Sequence, residues 1–265
     1  MSITVYLVRH AQGYHNLSHE NEKLSDPLLT PLGESQCEAL RASFPHHDKL
    51  THLVASPMRR ALLTCRLSFA PDGILSTSQG HKSHASVVAQ PLIQEVSALP
   101  CDTGSDPDVL ASEFGSWADL GLVHDGWNDK KPGSRFAPTV ANLEARAAAA
   151  RRWFRTLGKE GQDVHVAAVS HGAFLHFLTE DWDGMDLSRG TGWSNAEWRS
   201  YEFVEGPTGG DERASIRETK ESWTRRKGTA VPLTETEQKE AREVILEGMR
   251  RQFGESVDDQ EPGRS

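Results

Sequence analysis

Short apolar runs alternate with longer amphipathic segments along most of this chain. Four compact runs end abruptly in polar residues, a pattern that predicts buried strands: Ile3–Val8, Leu53–Ala55, Val87–Gln90 and Val164–Val169. A further run, Ala196–Val204, contains charged residues and is predicted as a strand at or near a sheet edge. Strands separated by helical segments indicate an α/β fold, here a three-layer α/β/α sandwich around a mainly parallel central sheet.

The helical segments contain their own start signals. Thr30 and Pro31 provide a cap and a first-turn residue for one helix, and Ser56-Pro57 opens another. Apolar residues at helical spacing predict a long helix from Thr139 to Leu157.

Two segments depart from this alternation and define the predicted domain organisation. Residues 96–138 are irregular and rich in Gly, Asp, Pro and Trp, which predicts a lid-like insertion within a domain of residues 1–230. Residues 231–265 contain a charged amphipathic helix, Glu235–Phe253, and a polar tail, Gly254–Ser265, with the composition of disordered chain. The apolar stripe of that helix is narrow, so docking on the domain is expected and homodimer formation is the alternative.

Charge and cysteine content narrow the class of protein. The 265 residues have a formal net charge of −9, which disfavours a nucleic-acid or anionic-membrane surface and confines any anion site to a local positive pocket. Cys37, Cys65 and Cys101 are few, odd in number and widely spaced, as in reduced cytoplasmic proteins. No apolar run approaches about 18 residues, and the opening run is too short for a signal peptide. A cytoplasmic protein without a membrane span is expected.

Polar side chains follow four of the predicted strands. Arg9 and His10 end the first, Arg59 follows the second, Glu95 the third and His171 the fourth. Because ligands bind at the carboxyl ends of parallel strands, these side chains are expected to share one crevice. Such a set suits phosphoryl transfer: guanidinium groups bind phosphate, a neutral imidazole is a nucleophile, and a carboxylic acid protonates the leaving group.

The same residues fall into a series of short motifs. In chain order these are Arg9-His10-Ala11, Asn16, Leu29-Thr30-Pro31-Leu32-Gly33, Ser56-Pro57-Met58-Arg59-Arg60-Ala61-Leu62-Leu63-Thr64, Ile93-Gln94-Glu95 and Ser170-His171-Gly172. With these motifs in this order over residues 3–204, the sequence resembles the histidine phosphatase superfamily, also called the phosphoglycerate mutase-like family. One departure is Ala11, where the family has glycine; alanine fits only if the backbone there avoids positive φ.

The resemblance implies a catalytic set and a substrate-binding set. The catalytic set is Arg9, His10, Arg59, Glu95 and His171, with His10 as phosphohistidine and Glu95 as proton donor. The substrate-binding set is Gln12, Asn16 and Gly172. No metal or other cofactor is implied. The expected partner is a small-molecule phosphate monoester, and the segment around Glu95 lacks the basic and aromatic pattern of glycolytic mutases, which favours a phosphatase. A phosphomutase and an inactive relative that binds phosphorylated ligands are the alternatives.

Some polar residues near these motifs have two interpretations. Arg60 is predicted as a solvated surface arginine. Asp102 or Glu113 could replace Glu95 as the acid. The His81–His84 spacing could suit a metal, but a solvated loop is expected because no cysteine or acidic cluster accompanies it.

The leaving-group side of the site is the least predictable. Three tryptophans could line an apolar pocket, as for a lipid or natural-product phosphate, or could pack inside a large loop: Trp117, Trp127 and Trp193. Three cations could bind a second phosphate, although a solvated charge run is the commoner explanation: Lys130, Lys131 and Arg135.

Overall fold

A seven-stranded sheet forms the middle layer of the protein. The structure is a computed structural model that describes residues 2–76, 82–84, 86–158, 161–204 and 213–255. The strands are β1 (Ile3–Arg9), β2 (His52–Ala55), β3 (Ile74–Ser76), β4 (Lys82–His84), β5 (Val87–Ala89), β6 (Ala118–Asp119), β7 (Val164–Ser170), β8 (Trp198–Phe203) and β9 (Ile216–Glu218). The sheet has the order β6-β5-β2-β7-β1-β8-β9, and β3 and β4 form a separate pair.

Strands β6, β5, β2, β7 and β1 are parallel, whereas β8 and β9 are antiparallel at one edge. The predicted mainly parallel sheet is therefore confirmed, and β8 lies next to the edge strand as its charged residues indicate. The α-helices are α1 (Pro31–Ser43), α2 (Arg59–Phe69), α3 (Pro107–Phe114), α4 (Val140–Thr156), α5 (Gly172–Thr179), α6 (Lys220–Lys227) and α7 (Glu235–Phe253).

Strand β1 shows why the central strands are apolar on both faces. Tyr6 and Val8 pack into a core cluster that includes side chains of α1 and α2. Val5 and Leu7 point the other way, into a cluster formed with α4, α5 and α7. Successive residues of a strand alternate between faces, so a strand covered on both sides is a continuous apolar run. Helices on both faces confirm the three-layer sandwich.

The pairing of β1 with β7 brings two histidines to one edge of the sheet. Arg9 lies opposite Ser170 in the parallel register. The His10 amide then donates to the Ser170 carbonyl at 2.9 Å. Because both strands end at this level, the residues that follow them, His10 and His171, emerge side by side.

Helix α2, which follows β2 at this edge, begins with a cap from a distant loop. Its first residue, Arg59, donates its amide to Asp26 Oδ1 at 3.1 Å, while Oδ2 of the same carboxylate accepts from the Ser105 amide at 2.9 Å. A carboxylate at a helix N-terminus satisfies an amide that has no partner within the helix. Asp26 thus ties the start of α2 to the insertion.

The insertion is packed into the domain. It adds β6 to the sheet, and Leu110, Phe114, Trp127 and Phe136 are buried in the core cluster beside α2. The short helix expected after Asp106-Pro107 is α3. Movement of this segment as a lid remains a prediction.

Helix α7 docks on the domain. Ile245, Leu246 and Met249 are buried in the core cluster that contains α4. Gln238 donates to Asp181 Oδ1 at 2.7 Å and accepts from the Trp182 amide at 2.8 Å. Residues 256–265 of the predicted tail lie outside the described part. Within the described residues, no helix is both long enough and apolar enough to cross a membrane.

Candidate active site

His10 is a buried imidazole with a fixed tautomer. Only 2% of the residue is exposed, and Nδ1 lies 2.7 Å from the carbonyl oxygen of Ala11. A carbonyl oxygen only accepts, so Nδ1 donates the proton and Nε2 keeps its lone pair. Burial, followed by the charge of Arg60, holds the pKa of His10 well below its usual value. His10 is therefore neutral near pH 7, which is the nucleophilic form of imidazole.

His171 lies beside His10 at the end of the neighbouring strand β7. The two rings are 5.1 Å apart between centroids, and His171 Nε2 is 2.8 Å from Ser56 Oγ. The Ser56 oxygen also accepts from the Met58 amide at 3.4 Å, and its hydroxyl can either donate to His171 Nε2 or accept from it. Burial, followed by the charge of Arg60, holds the pKa of His171 well below its usual value, so the ring is neutral near pH 7, and it has its proton on Nδ1 when Ser56 donates to Nε2. This Nδ1 is buried and has no hydrogen-bond partner among the described residues.

Two adjacent arginines at the start of α2 point in different directions. Arg60 is fully buried and donates to the Cys101 carbonyl at 2.6 Å and to Asp102 Oδ1 at 3.0 Å. Arg59 forms a two-pronged ion pair with Glu113, at 2.8 and 2.9 Å. Successive helical residues are about 100° apart around the axis, so neighbours cannot share one target.

The prediction that Arg60 is a solvated surface residue is wrong. The charge of Arg60 is close enough to lower the pKa of both His10 and His171, and its buried Nε has no partner within the described chain. The Arg59 side chain is instead paired with Glu113, and its charge is not among the causes that shift the pKa of either histidine. The geometry therefore favours Arg60 over Arg59 as the cation of the site, the reverse of the sequence-based expectation.

Arg9 supplies a second buried cation. One of its terminal nitrogens, Nη1, donates to the Trp193 carbonyl, and its Nε is buried without a hydrogen-bond partner in the described residues. Burial lowers the Arg9 pKa from its usual value, and the nearby Glu95 carboxylate opposes this shift. An unsatisfied guanidinium N–H beside a neutral histidine is a donor available to a bound anion.

Glu95 supplies a carboxyl group to the same cavity wall as Arg9 and His10. Its Oε1 accepts from the Val96 amide at 2.9 Å and from the Phe174 amide at 3.1 Å. Burial, followed by the Asp102 charge, raises the Glu95 pKa above its usual value. The two alternative acids are engaged elsewhere, because Asp102 pairs with Arg60 and Glu113 pairs with Arg59.

The backbone of Glu95 is fixed by two buried cations. Lys130 Nζ donates to the Glu95 carbonyl at 3.0 Å, and Arg146 Nη2 donates to the same oxygen at 3.2 Å. Burial, followed by the charge of Arg146, lowers the pKa of Lys130 to about 7. The prediction of a solvated charge run is therefore wrong for Lys130. Its amine is directed at the chain that carries Glu95.

A cavity of about 370 Å³ opens beside His10 and Glu95, and Arg59, Arg60 and His171 are not among the residues that line it. Its walls include the predicted site residues Arg9, His10, Asn16, Glu95 and Gly172. A side chain at Gly172 would begin 2.4 Å from Thr191 Oγ1, so glycine allows Thr191 to pack closely against this part of the wall. Ala11 lies just beneath, fully buried, and is not among the described residues with positive φ, which is the condition that alanine requires there.

Residues 5–214 match the family model of the histidine phosphatase superfamily (branch 1). The chain belongs to this superfamily. Phosphoglycerate mutase-like protein 1 of Arabidopsis thaliana is 28% identical over 200 residues, which span 65% of this chain and 69% of that protein. A second protein of Arabidopsis thaliana, Phosphoglycerate mutase-like protein, is 26% identical over 237 residues, which span 76% of this chain and 84% of that protein. Bacillus stearothermophilus YhfR shares the fold, with a TM-score of 0.51 and 16% identity over 86% of this chain and 98% of that one.

Not every predicted site residue of this superfamily member reaches the cavity. The side-chain oxygen of Gln12 accepts from Thr30 Oγ1 at 2.8 Å, and the residue does not contribute to the cavity wall. The three tryptophans are also absent from that wall: Trp117 and Trp127 pack in one core cluster and Trp193 in the other. The cavity described here thus gives no support to the apolar leaving-group pocket.

His15 is a cavity residue that the sequence did not single out. Its ring lies 5.3 Å from that of His10, and it contributes to the cavity wall. Its position directly before Asn16, one of the residues that carry the family resemblance, was the one available indication. Elsewhere, the described residues contain no group of three or more His, Cys, Asp and Glu side chains that could hold a metal ion. The His81–His84 side chains lie outside the described part.

Proposed function

We propose that this protein hydrolyses phosphate monoesters of small molecules through a phosphohistidine at His10. The observation that carries the proposal is the tautomer of His10. The Ala11 carbonyl holds the Nδ1 proton, and so Nε2 is left as the nucleophile. Around it stand two buried guanidinium donors that have no partner among the described residues, Arg9 Nε and Arg60 Nε, and His171 Nδ1 is a third when Ser56 donates to Nε2. Such donors stabilise the charge on the non-bridging oxygens of a transferred phosphoryl group.

The reaction takes place in two steps. His10 Nε2 attacks phosphorus while the bond from phosphorus to the leaving-group oxygen breaks, and Glu95 gives its proton to that oxygen. The resulting Glu95 carboxylate then accepts a proton from water, whose oxygen attacks phosphorus and breaks the bond to Nε2. Inorganic phosphate leaves and the neutral imidazole is restored. Arg9, Arg60 and His171 hold the phosphoryl oxygens throughout, the role that metal ions fill in other phosphotransferases.

The cavity wall favours hydrolysis over the phosphoglycerate mutase alternative. Arg9 is the only lysine or arginine that contributes to the described wall, and the wall also includes the carboxyl group of Glu22. The carboxylate of a phosphoglycerate would therefore meet no additional cation there. The inactive alternative is disfavoured because nucleophile, cations and acid are all present.

The decisive experiment is to trap the intermediate. Purified protein is mixed with a chromogenic aryl phosphate, with and without a chelator, and then with a radiolabelled ester followed by rapid denaturation. We expect chelator-insensitive turnover and a labelled protein that is labile in acid and stable in base. A requirement for added metal, or a base-labile label, would contradict the mechanism. Turnover only after addition of a phosphorylated primer would instead identify a mutase.

A Glu95→Gln substitution is expected to reduce kcat/KM in proportion to how poor the leaving group is. For alkyl phosphates the loss should be about 10²- to 10⁴-fold, since their alkoxide must be protonated as it leaves, and for p-nitrophenyl phosphate it should be much smaller. Because its pKa is raised, Glu95 is protonated at low pH, and wild-type kcat/KM for alkyl esters should fall as pH rises through that pKa.

The measurement is kcat/KM against leaving-group pKa for wild type, Glu95→Gln and the matched control Glu113→Gln. Glu113 pairs with Arg59 outside the cavity, so this control should keep the wild-type slope. Equal losses for aryl and alkyl esters in Glu95→Gln would exclude Glu95 as the acid.

A further inference from the structure

His15 has no part in the reaction as described, yet it lies at its centre. The residue is in the 3-10 turn Tyr14–Leu17, directly after the nucleophile's loop. Its ring centroid lies 5.3 Å from that of His10, which is itself 5.1 Å from that of His171, so two further imidazoles are close to the nucleophile, and His15 lines the cavity with it.

The two nitrogens of His15 have different surroundings. Nδ1 is buried and has no hydrogen-bond partner in the described chain. It faces the backbone of Gly13 so closely that a side-chain carbon there would lie 2.8 Å away. A proton on Nδ1 would be buried without an acceptor, which costs more than an unused lone pair. The neutral ring therefore has its proton on Nε2, on the opposite side, as a donor to the cavity that the ring lines.

The absence of a side chain at Gly13 allows the His15 ring to occupy its observed position. Its φ of −98° is open to any residue, so backbone conformation does not demand glycine. The missing side chain instead provides the space that the His15 ring occupies.

Several charges act on His15 from the elements around it. Arg9 and His10 face it from the end of β1, Arg60 from α2 and His171 from the start of α5. The carboxyl groups of Glu22, Glu95 and Asp102 share the same cavity wall. Burial, followed by the charges of Arg60 and Arg9, lowers the pKa of His15 to about 3. The ring is thus uncharged across the range in which the enzyme would work.

We propose that His15 is a further ligand of the phosphoryl group, binding one of its oxygens through the Nε2 proton of an uncharged imidazole. That the bound group is a phosphoryl group rests on the proposed function. A phosphoryl group attacked by His10 would have oxygens within reach of the His15 ring, whose centroid is 5.3 Å from that of His10. Unlike an exposed histidine, this donor contributes the same hydrogen bond from acid to alkaline pH. It adds no charge that would lower the basicity of the nucleophile.

Sulfate is the probe for the test, because it is a tetrahedral dianion that does not titrate in the range used. Its dissociation constant is measured by calorimetry from pH 6 to 8 for wild type, His15→Ala, His15→Asn and the exposed control His124→Asn. We expect His15→Ala to weaken sulfate binding about tenfold, by the same factor at each pH. The amide donor of His15→Asn should restore part of this affinity. The control should match wild type.

Gly13→Ala is an independent test, because it changes the position of the His15 ring without changing the residue itself. The added methyl should displace the ring and weaken sulfate as His15→Ala does, but should have little further effect in the His15→Ala background. Imidazole ¹⁵N NMR should show Nε2 protonated in the free protein and its resonance shifted by sulfate. Wild-type affinity in both His15→Ala and Gly13→Ala, or a loss that appears only below pH 7, would overturn the proposal.

The outcome separates this inference from the function on which it rests. A trapped phosphoenzyme with His15-independent sulfate binding would refute the role of His15 alone. His15-dependent sulfate binding without any phosphoenzyme would refute the phosphatase mechanism and leave the anion site intact.

Discussion

Replacement of His10 by alanine is expected to lower kcat/KM for an aryl phosphate by at least about 10⁴-fold, because the covalent route disappears with its nucleophile. In the proposed mechanism His171 does not replace this nucleophile, because its Nε2 is held by Ser56 Oγ and its Nδ1 binds a phosphoryl oxygen. Water would have to attack directly, without an activated nucleophile in line.

The assay is initial-rate hydrolysis with purified protein, together with the trapping experiment. The label should be lost in His10→Ala, whereas His124→Asn should retain both label and rate. Sulfate binding should survive in His10→Ala, since the surrounding cations remain, and this separates lost chemistry from lost folding. A phosphoenzyme in His10→Ala, or a rate within tenfold of wild type, would place the nucleophile elsewhere.

The fold could be predicted because its strongest patterns are local. Strands β1 and β7 are apolar on both faces. Helix α1 begins at Thr30, whose hydroxyl accepts from the Gly33 amide, and α4 begins at Thr139, whose hydroxyl accepts from the Asn142 amide. Strand β6 could not be predicted. It has only two residues, Ala118–Asp119, and exists because β5 offers a free edge for it to pair with.

The site was predictable wherever a strand end fixes the residue. His10, Glu95 and His171 each follow a buried strand or its short extension, and the topology alone brings them together. Arg60 could not be assigned in this way. Arg59 and Arg60 are adjacent in the same polar stretch of sequence, and which of them points into the site depends on the rotation of α2 about its axis. The residue before Ala61 in the motif is Arg60, and that register was the available indication.

Lys130 and His15 are residues near the site whose positions could not be predicted from the sequence pattern. Lys130 belongs to a charged stretch of sequence, and only tertiary packing turns its amine inward to the Glu95 carbonyl. His15 is in a short 3-10 turn without periodicity, so its direction depends on the empty space above Gly13. In both cases the decisive interaction joins residues whose contact the hydrophobic pattern does not encode.

The contrast between the two arginines leads to the second large effect. Arg60→Lys is expected to lower kcat/KM by about 10³-fold, and Arg59→Lys by no more than about threefold. Arg60 can point its Nε at the phosphoryl group while its two terminal nitrogens remain bound to Cys101 and Asp102. A lysine keeps the charge but has one ammonium group, which cannot serve the two protein acceptors and the substrate with that geometry. Arg59 donates to Glu113 alone with its side chain, so its replacement leaves the cavity unchanged.

Lysine is the informative substitution because alanine would confuse two effects. Arg60→Ala would leave the Asp102 carboxylate without its ion-pair partner in a buried setting, which commonly costs about 3–5 kcal/mol of folding stability. Arg59→Lys and Arg60→Lys have the same net charge as the wild type. Their thermal unfolding and sulfate affinity can therefore be compared directly. If Arg59→Lys showed the thousandfold loss and Arg60→Lys remained near wild type, the assignment would be reversed and α2 would have to rotate when substrate binds. If both variants lost activity equally, the Arg59–Glu113 ion pair would be needed to hold the start of α2, and with it Arg60, in the position that catalysis requires.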